Sequence, residues 1–188
     1  MPDAETLEKS TTSERSHAQG KECVLGKFIS EEDGWKIVAA AKAWEGTPYD
    51  AVGAASVKGK RGDCSGTTYK IYVEAGFPYP YQSTAVFAEY ARKSNRFRLI
   101  NPAKVPMQAG DVLLWPGHMA IYAPFPDGDP RRDTGVVKKG KKMANNMYTA
   151  FNDHTNLPYG PYNIETFRGD EYTVYRYLVL PGANQCSP

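Results

Sequence analysis

The sequence predicts an α+β fold in which N-terminal helices pack on an antiparallel β-sheet. Two observations carry that expectation. Apolar residues recur at helical spacing through the first half of the chain, and beyond about residue 110 they gather into short runs divided by Pro and Gly. Helices first and strands afterwards is the order of an α+β domain, because a crossover-joined parallel sheet alternates the two. No internal repeat interrupts this order, so residues 23–188 are expected to form one domain, long enough to enclose a core.

Residues 1–22 are rich in Ser, Thr, Glu and Lys with almost nothing apolar, and they read as a disordered tail. The first helix opens at Ser30, an N-cap with Asp33 three residues on, and Glu31 and Glu32 suit its positive end. Trp35, Val38, Ala39, Ala41 and Trp44 supply its apolar positions before Gly46-Thr47-Pro48 stops it. A Gly-containing loop then leads to a second helix, from about Cys64 to Gly76. Phe77–Tyr81 carries two prolines and is extended, and Ser83 caps a third helix bearing Val86, Phe87, Tyr90 and Ala91. Asp111–Trp115 and His118–Tyr122, split by Pro116-Gly117, read as a hairpin. Residues 124–146 form a long polar loop with the basic run Lys138-Lys139-Gly140-Lys141-Lys142, and Met147–Asn152 and Tyr172–Leu180 are the remaining strands.

Composition removes several functional classes. The chain has 23 Lys+Arg against 21 Asp+Glu, an excess too small for a nucleic-acid partner. No apolar run is long enough for a bilayer, so membrane insertion is not expected. Met1-Pro2-Asp3-Ala4-Glu5-Thr6 has neither a basic nor an apolar leader region, which argues for synthesis in the cytoplasm without a Sec signal. The three cysteines, Cys23, Cys64 and Cys186, match no zinc-ligand spacing, and no metal or other cofactor is expected. Cys23 and Cys186 either pair as a disulfide, since domain termini often lie close together, or are unrelated thiols.

The chemistry centres on Gly62-Asp63-Cys64-Ser65-Gly66. A cysteine at a helix start meets unsatisfied N–H groups and the positive dipole end, which favour a thiolate and can hold an oxyanion. Small neighbours leave the sulfur open, whereas a structural cysteine would sit among larger apolar residues. His118 follows a tight turn and opens a strand, so its ring can reach toward a helix packed on the sheet and act as base for the thiol.

Trp44-Glu45-Gly46-Thr47-Pro48-Tyr49, then Asp63-Cys64-Ser65-Gly66, then Ala109-Gly110-Asp111-Val112 leading to Gly117-His118-Met119-Ala120-Ile121-Tyr122, resemble the successive motifs of the NlpC/P60 cysteine peptidases. The similarity spans about residues 35–180. It implies a papain-like core and cleavage of an amide bond in the peptide stem of peptidoglycan, often the bond after γ-D-glutamate. It also implies that Tyr49 positions or polarises substrate, and that Asp63 and Ser65 bind an amine or hydrogen-bonding group of the stem. A third residue should orient His118, and here the chain departs from the family, because a long polar loop intervenes. His154 is favoured narrowly over Asn152, Asp153 is a further candidate, and Thr149 is the residue that direct motif alignment selects.

The expected activity is therefore a peptidoglycan peptidase or amidase working through a Cys64 acyl-enzyme. The alternatives are a cysteine-dependent acyltransferase on lipid or protein, and a wall-binding module that has lost turnover. The missing leader and wall anchor suggest an antibacterial effector injected into a rival's periplasm by a type VI secretion machine. Such a toxin implies a cognate immunity protein as partner, with residues 124–146 as its contact.

Overall fold

The computed structural model describes residues 26–133, 143–151 and 157–179. The expected tail, the Lys138–Lys142 run, Cys23 and Cys186, and the candidates Asn152, Asp153 and His154 lie outside those residues.

Helices and sheet form as the residue pattern dictates. Helix α1 spans Glu31–Lys42, and the Asp33 N–H donates to the Ser30 Oγ at 3.1 Å, so the cap forms where it was expected. Helix α2 spans Cys64–Glu74, followed by Gly76 at φ 92°, a left-handed conformation that its missing side chain permits. Helix α3 is shorter than expected, Phe87–Ser94. Ser83 does not cap it directly; its carbonyl accepts from the Val86 and Phe87 N–H groups in a turn that precedes the helix.

Seven strands form one antiparallel sheet among the described residues: β1 (Lys27–Phe28), β2 (Phe97–Ile100), β3 (Val112–Trp115), β4 (His118–Tyr122), β5 (Met147–Thr149), β6 (Gly160–Tyr162) and β7 (Thr173–Val179). Their order is β1-β7-β3-β4-β5-β6, with β2 on the β7 edge. The predicted hairpin is β3–β4, in the register Trp115↔His118 through Val112↔Ile121, turning at Gly117 with φ 75°. Strand β5 ends at Thr149, three residues short of the expected Asn152. Two short helices, α4 (Pro130–Asp133) and α5 (Ile164–Phe167), complete the elements, together with a 3-10 turn at Gly53–Ala55. Strands β1, β2 and β6 and helix α5 lack the runs that announce an element; β2 and β6 are three or four residues long and gain definition only by pairing.

The sheet separates two apolar layers. Beneath α1–α3 lie Ile37, Ile71, Tyr72, Phe87, Met119, Ile121, Tyr148, Ala150 and Tyr177, and the same layer contains Cys64. The opposite face holds Leu113, Trp115, Ala120, Met147, Phe151, Tyr162, Ile164 and Phe167. Alternation along β4 and β5 produces this division: Met119 and Ile121 face one way, Ala120 the other, and Tyr148 opposes Met147.

Two contacts place α1 and α2 on the sheet. The Tyr72 hydroxyl donates to the carbonyl of Gly110, at the entrance to β3. Gly34 allows α1 to close on the same turn, since a Cβ there would lie 1.9 Å from the Ala109 oxygen. Asp111 is tied across the sheet to Arg176 of β7 through Nε–Oδ1 and Nη2–Oδ2 contacts, both 2.9 Å. The Ala109-Gly110-Asp111-Val112 motif is thus the joint between helices and strands.

Candidate active site

Asp63 defines where α2 begins. Its Oδ1 accepts from the Gly66 N–H at 2.8 Å, a helix cap, and its Oδ2 accepts from the Gly53 N–H at 2.7 Å. One carboxylate therefore fixes the first turn of α2 and binds it to the 3-10 turn. The fit is tight, because a Cβ on Gly66 would stand 2.0 Å from the Gly53 oxygen. Tyr49 is half-buried and its backbone bridges Gly62, two residues before Cys64, with Gly62 N–H donating to the Pro48 carbonyl at 3.0 Å. Tyr49, Asp63 and Ser65 are accordingly gathered around the start of the helix that carries Cys64.

Ser65 has a partner that sequence reasoning missed. Its hydroxyl shares a 3.0 Å hydrogen bond with the phenol of Tyr81, from the Pro78-Tyr79-Pro80-Tyr81 segment, and a longer 3.4 Å bond with Asp63 Oδ1. A left-handed Gly53 makes room, since a Cβ there would sit 2.8 Å from the Tyr81 oxygen. The alternating Pro-Tyr sequence is the only signal that could have pointed to Tyr81.

Cys64 is buried, and burial pushes its thiol up to about 11. Main-chain hydrogen bonding from Met119 opposes the rise, the negative charge of Asp63 adds to it, and the Ser65 and Cys64 amides oppose it. The sulfur therefore faces N–H groups from two elements: the first turn of α2 and the second residue of β4. Met119 is the residue after His118, so the thiol meets the sheet beside the histidine.

His118 is equally buried, but its ring lies toward the layer opposite α2. It stacks on Phe167 at 4.5 Å between centroids, 35° from parallel, with Trp115 at 5.8 Å. The ring leans away from the helical core that sequence reasoning had it face, toward the layer that holds Trp115 and Phe167. The reason is the pleat: His118 shares the phase of Ala120, and Met119 takes the position under α2. Burial, with a lesser contribution from the charge of Arg168, pushes His118 down to about 3. Thiol and imidazole are both neutral at pH 7.

The residue on the outer ring nitrogen is Thr149. Its Oγ1 lies 2.9 Å from His118 Nε2, 2.8 Å from the Met119 carbonyl and 3.3 Å from that of Ala150. A hydroxyl has one proton, and a carbonyl can only accept. The proton therefore goes to a carbonyl, Met119 being nearer, and Oγ1 accepts from Nε2–H. This assigns the tautomer: Nδ1 keeps its lone pair and is the basic nitrogen. Met119 thus touches both sides of the site, donating toward Cys64 and accepting from Thr149.

Of the residues singled out from sequence, Tyr49, Asp63, Cys64, Ser65 and His118 converge on one region, and Thr149 joins them. The favoured third residue, His154, falls outside the described residues. No group of His, Cys, Asp and Glu with metal-binding geometry occurs among the described residues, and no helix there is long and apolar enough to cross a membrane. No protein-family model matches the chain, and no curated protein is significantly similar to it.

Proposed function

We propose that the protein is a papain-like cysteine peptidase or amidase of the NlpC/P60 kind, acting on an amide bond in the peptide stem of peptidoglycan. The observation that carries the reading is the approach of the Cys64 thiol, at the N-terminus of α2, to the Met119 N–H beside a histidine whose Nε2 is held by Thr149. The motif order around it supports the substrate class.

The chemistry follows from neutral partners. For His118 Nδ1 to take the Cys64 S–H proton as the sulfur attacks the substrate carbonyl, the ring must turn from Phe167 toward α2; charge then develops only with the new C–S bond. The oxyanion is met by N–H groups at the start of α2. The imidazolium then returns its proton to the departing amine, leaving a thioester on Cys64. Water attacks that thioester, giving a proton to His118; the C–S bond then breaks, the carboxylic acid leaves, and the imidazolium returns its proton to the sulfur, which restores the thiol. Thr149 takes part by holding Nε2–H, which keeps Nδ1 as the base throughout.

The test is mass spectrometry of fragments released from purified sacculi. The unmodified protein should release stem fragments, and Cys64→Ala should release none while still binding. Equal release by both proteins would sink the peptidase reading. Binding without release by the unmodified protein would make the site a binding module.

A further inference from the structure

The segment after β6 surrounds His118 from the side opposite Cys64. Phe167, the last residue of α5, stacks on the imidazole. Arg168 follows it and points at the hairpin turn, where its Nη1 donates to the Pro116 carbonyl at 3.0 Å, two residues before His118. Asp170 grips the same guanidinium with two bonds, Nε–Oδ1 at 2.7 Å and Nη2–Oδ2 at 2.6 Å. Such a fork–fork pair fixes the guanidinium plane as well as its position.

We infer that Arg168, held by Asp170, is a positioning residue for His118: it fixes the turn that carries the ring and sets the electrostatic field in which the ring works. The inference rests on the proposed reading of the site. A cation at this place opposes the imidazolium formed after proton transfer. It makes His118 a weaker base toward the thiol and a stronger acid toward the departing amine. Asp170 screens that cation, so the pair sets the balance between the two half-reactions.

The groups around the ring leave Arg168 as the principal charge. From β3, β5 and α5 come Trp115, Thr149 and Phe167, all uncharged. On the other face of β4, under α2, lies the Cys64 thiol, neutral at pH 7, with Asp63 beyond it at the helix cap. Among the described residues Arg168 is the one charged side chain that acts on His118, and its direction is the one a nearby cation must give.

The test is NMR titration of the His118 imidazole, assigned by its loss in His118→Gln, in the full-length chain. Arg168→Gln should raise the midpoint by about 0.5–1 unit, below the shift expected from a charge in direct contact. Arg168→Lys keeps the charge and should leave the midpoint near its starting value. Asp170→Asn unmasks the cation and should move the midpoint down. Loosening alone would admit water and raise the midpoint in both Arg168→Gln and Asp170→Asn, because burial is the larger cause of the depression. A rise in Asp170→Asn, or no change in Arg168→Gln, would overturn the inference. If Arg168→Gln does not fold, an unmoved midpoint in Arg168→Lys together with a lowered one in Asp170→Asn still decides it. Failure of the peptidase reading would show separately, as absence of fragment release from the unmodified protein.

Discussion

Two buried polar clusters, both anchored on the β3–β4 hairpin, solve the cost of burial in opposite ways. Asp111 and Arg176 are 1% and 6% exposed and form a salt bridge, with Gln108 N–H on Asp111 Oδ2 at 2.9 Å and the Pro106 carbonyl on Arg176 Nη2 at 2.9 Å. Burial pushes the Asp111 carboxyl up, and Arg176 with the Gln108 amide pulls it back. Cys64, His118 and Thr149 are as deeply enclosed, yet burial holds the thiol and the imidazole neutral. Charge persists inside this protein where it is paired and hydrogen-bonded, and is withheld at the proposed site. The first cluster is a joint; the second would create charge only in the proposed reaction.

Breaking the joint should have the largest effect. Arg176→Met leaves Asp111 buried without its cation, which costs about 3–5 kcal/mol when one partner of a buried pair is removed. Urea unfolding should show that loss, and the double variant Arg176→Met/Asp111→Leu should recover much of it. A single variant costing under about 1 kcal/mol would mean the bridge is not what joins β3 to β7.

The active cluster should respond in rate and hardly in stability. Thr149→Val keeps shape and removes the oxygen that holds Nε2–H, so His118 is free to adopt the other tautomer. We expect kcat for fragment release to fall about 10–10²-fold, part of the 10²–10⁴ that general acid–base catalysis supplies, with KM little changed. Thr149→Ser should retain most activity. If valine matches the unmodified protein, another residue orients the histidine.

The arm that carries Cys64 was legible because its signals are local. Ser30, Asp63 and Gly76 mark helix ends through interactions spanning four residues or fewer. Pro116-Gly117 marks the hairpin in the same manner. The histidine's arm depends on contacts that chain position does not encode. Thr149 is 31 residues from His118, and Phe167 reaches it from a four-residue helix with no periodic pattern. Strand β5 stops at Thr149, the residue that direct motif alignment selects, and the candidates expected beyond it lie outside the described residues. The face taken by the His118 ring was likewise fixed by pairing register, which is decided across strands.

The pH dependence of stability best separates the two clusters, because it reads protonation with no substrate present. A thiol at about 11 when folded and near 9 when unfolded stays protonated in the native state. The unfolded chain releases that proton first, so stability is full below pH 9 and declines as pH rises from 9 to 11. His118 runs the other way: the native ring stays neutral to about pH 3, while the unfolded ring binds a proton below about 6.5. Its contribution is full above pH 6.5 and declines as pH falls toward 3. Unfolding free energies of Cys64→Ser and His118→Gln, each subtracted from the unmodified protein across pH 3–11, should show these two slopes in their own windows. Iodoacetamide labelling of Cys64 should track the alkaline one, rising with pH through 10 without a plateau near neutrality. A labelling plateau at pH 7 would mean the thiolate already exists at rest, and the resting pair would then be charged like Asp111 and Arg176.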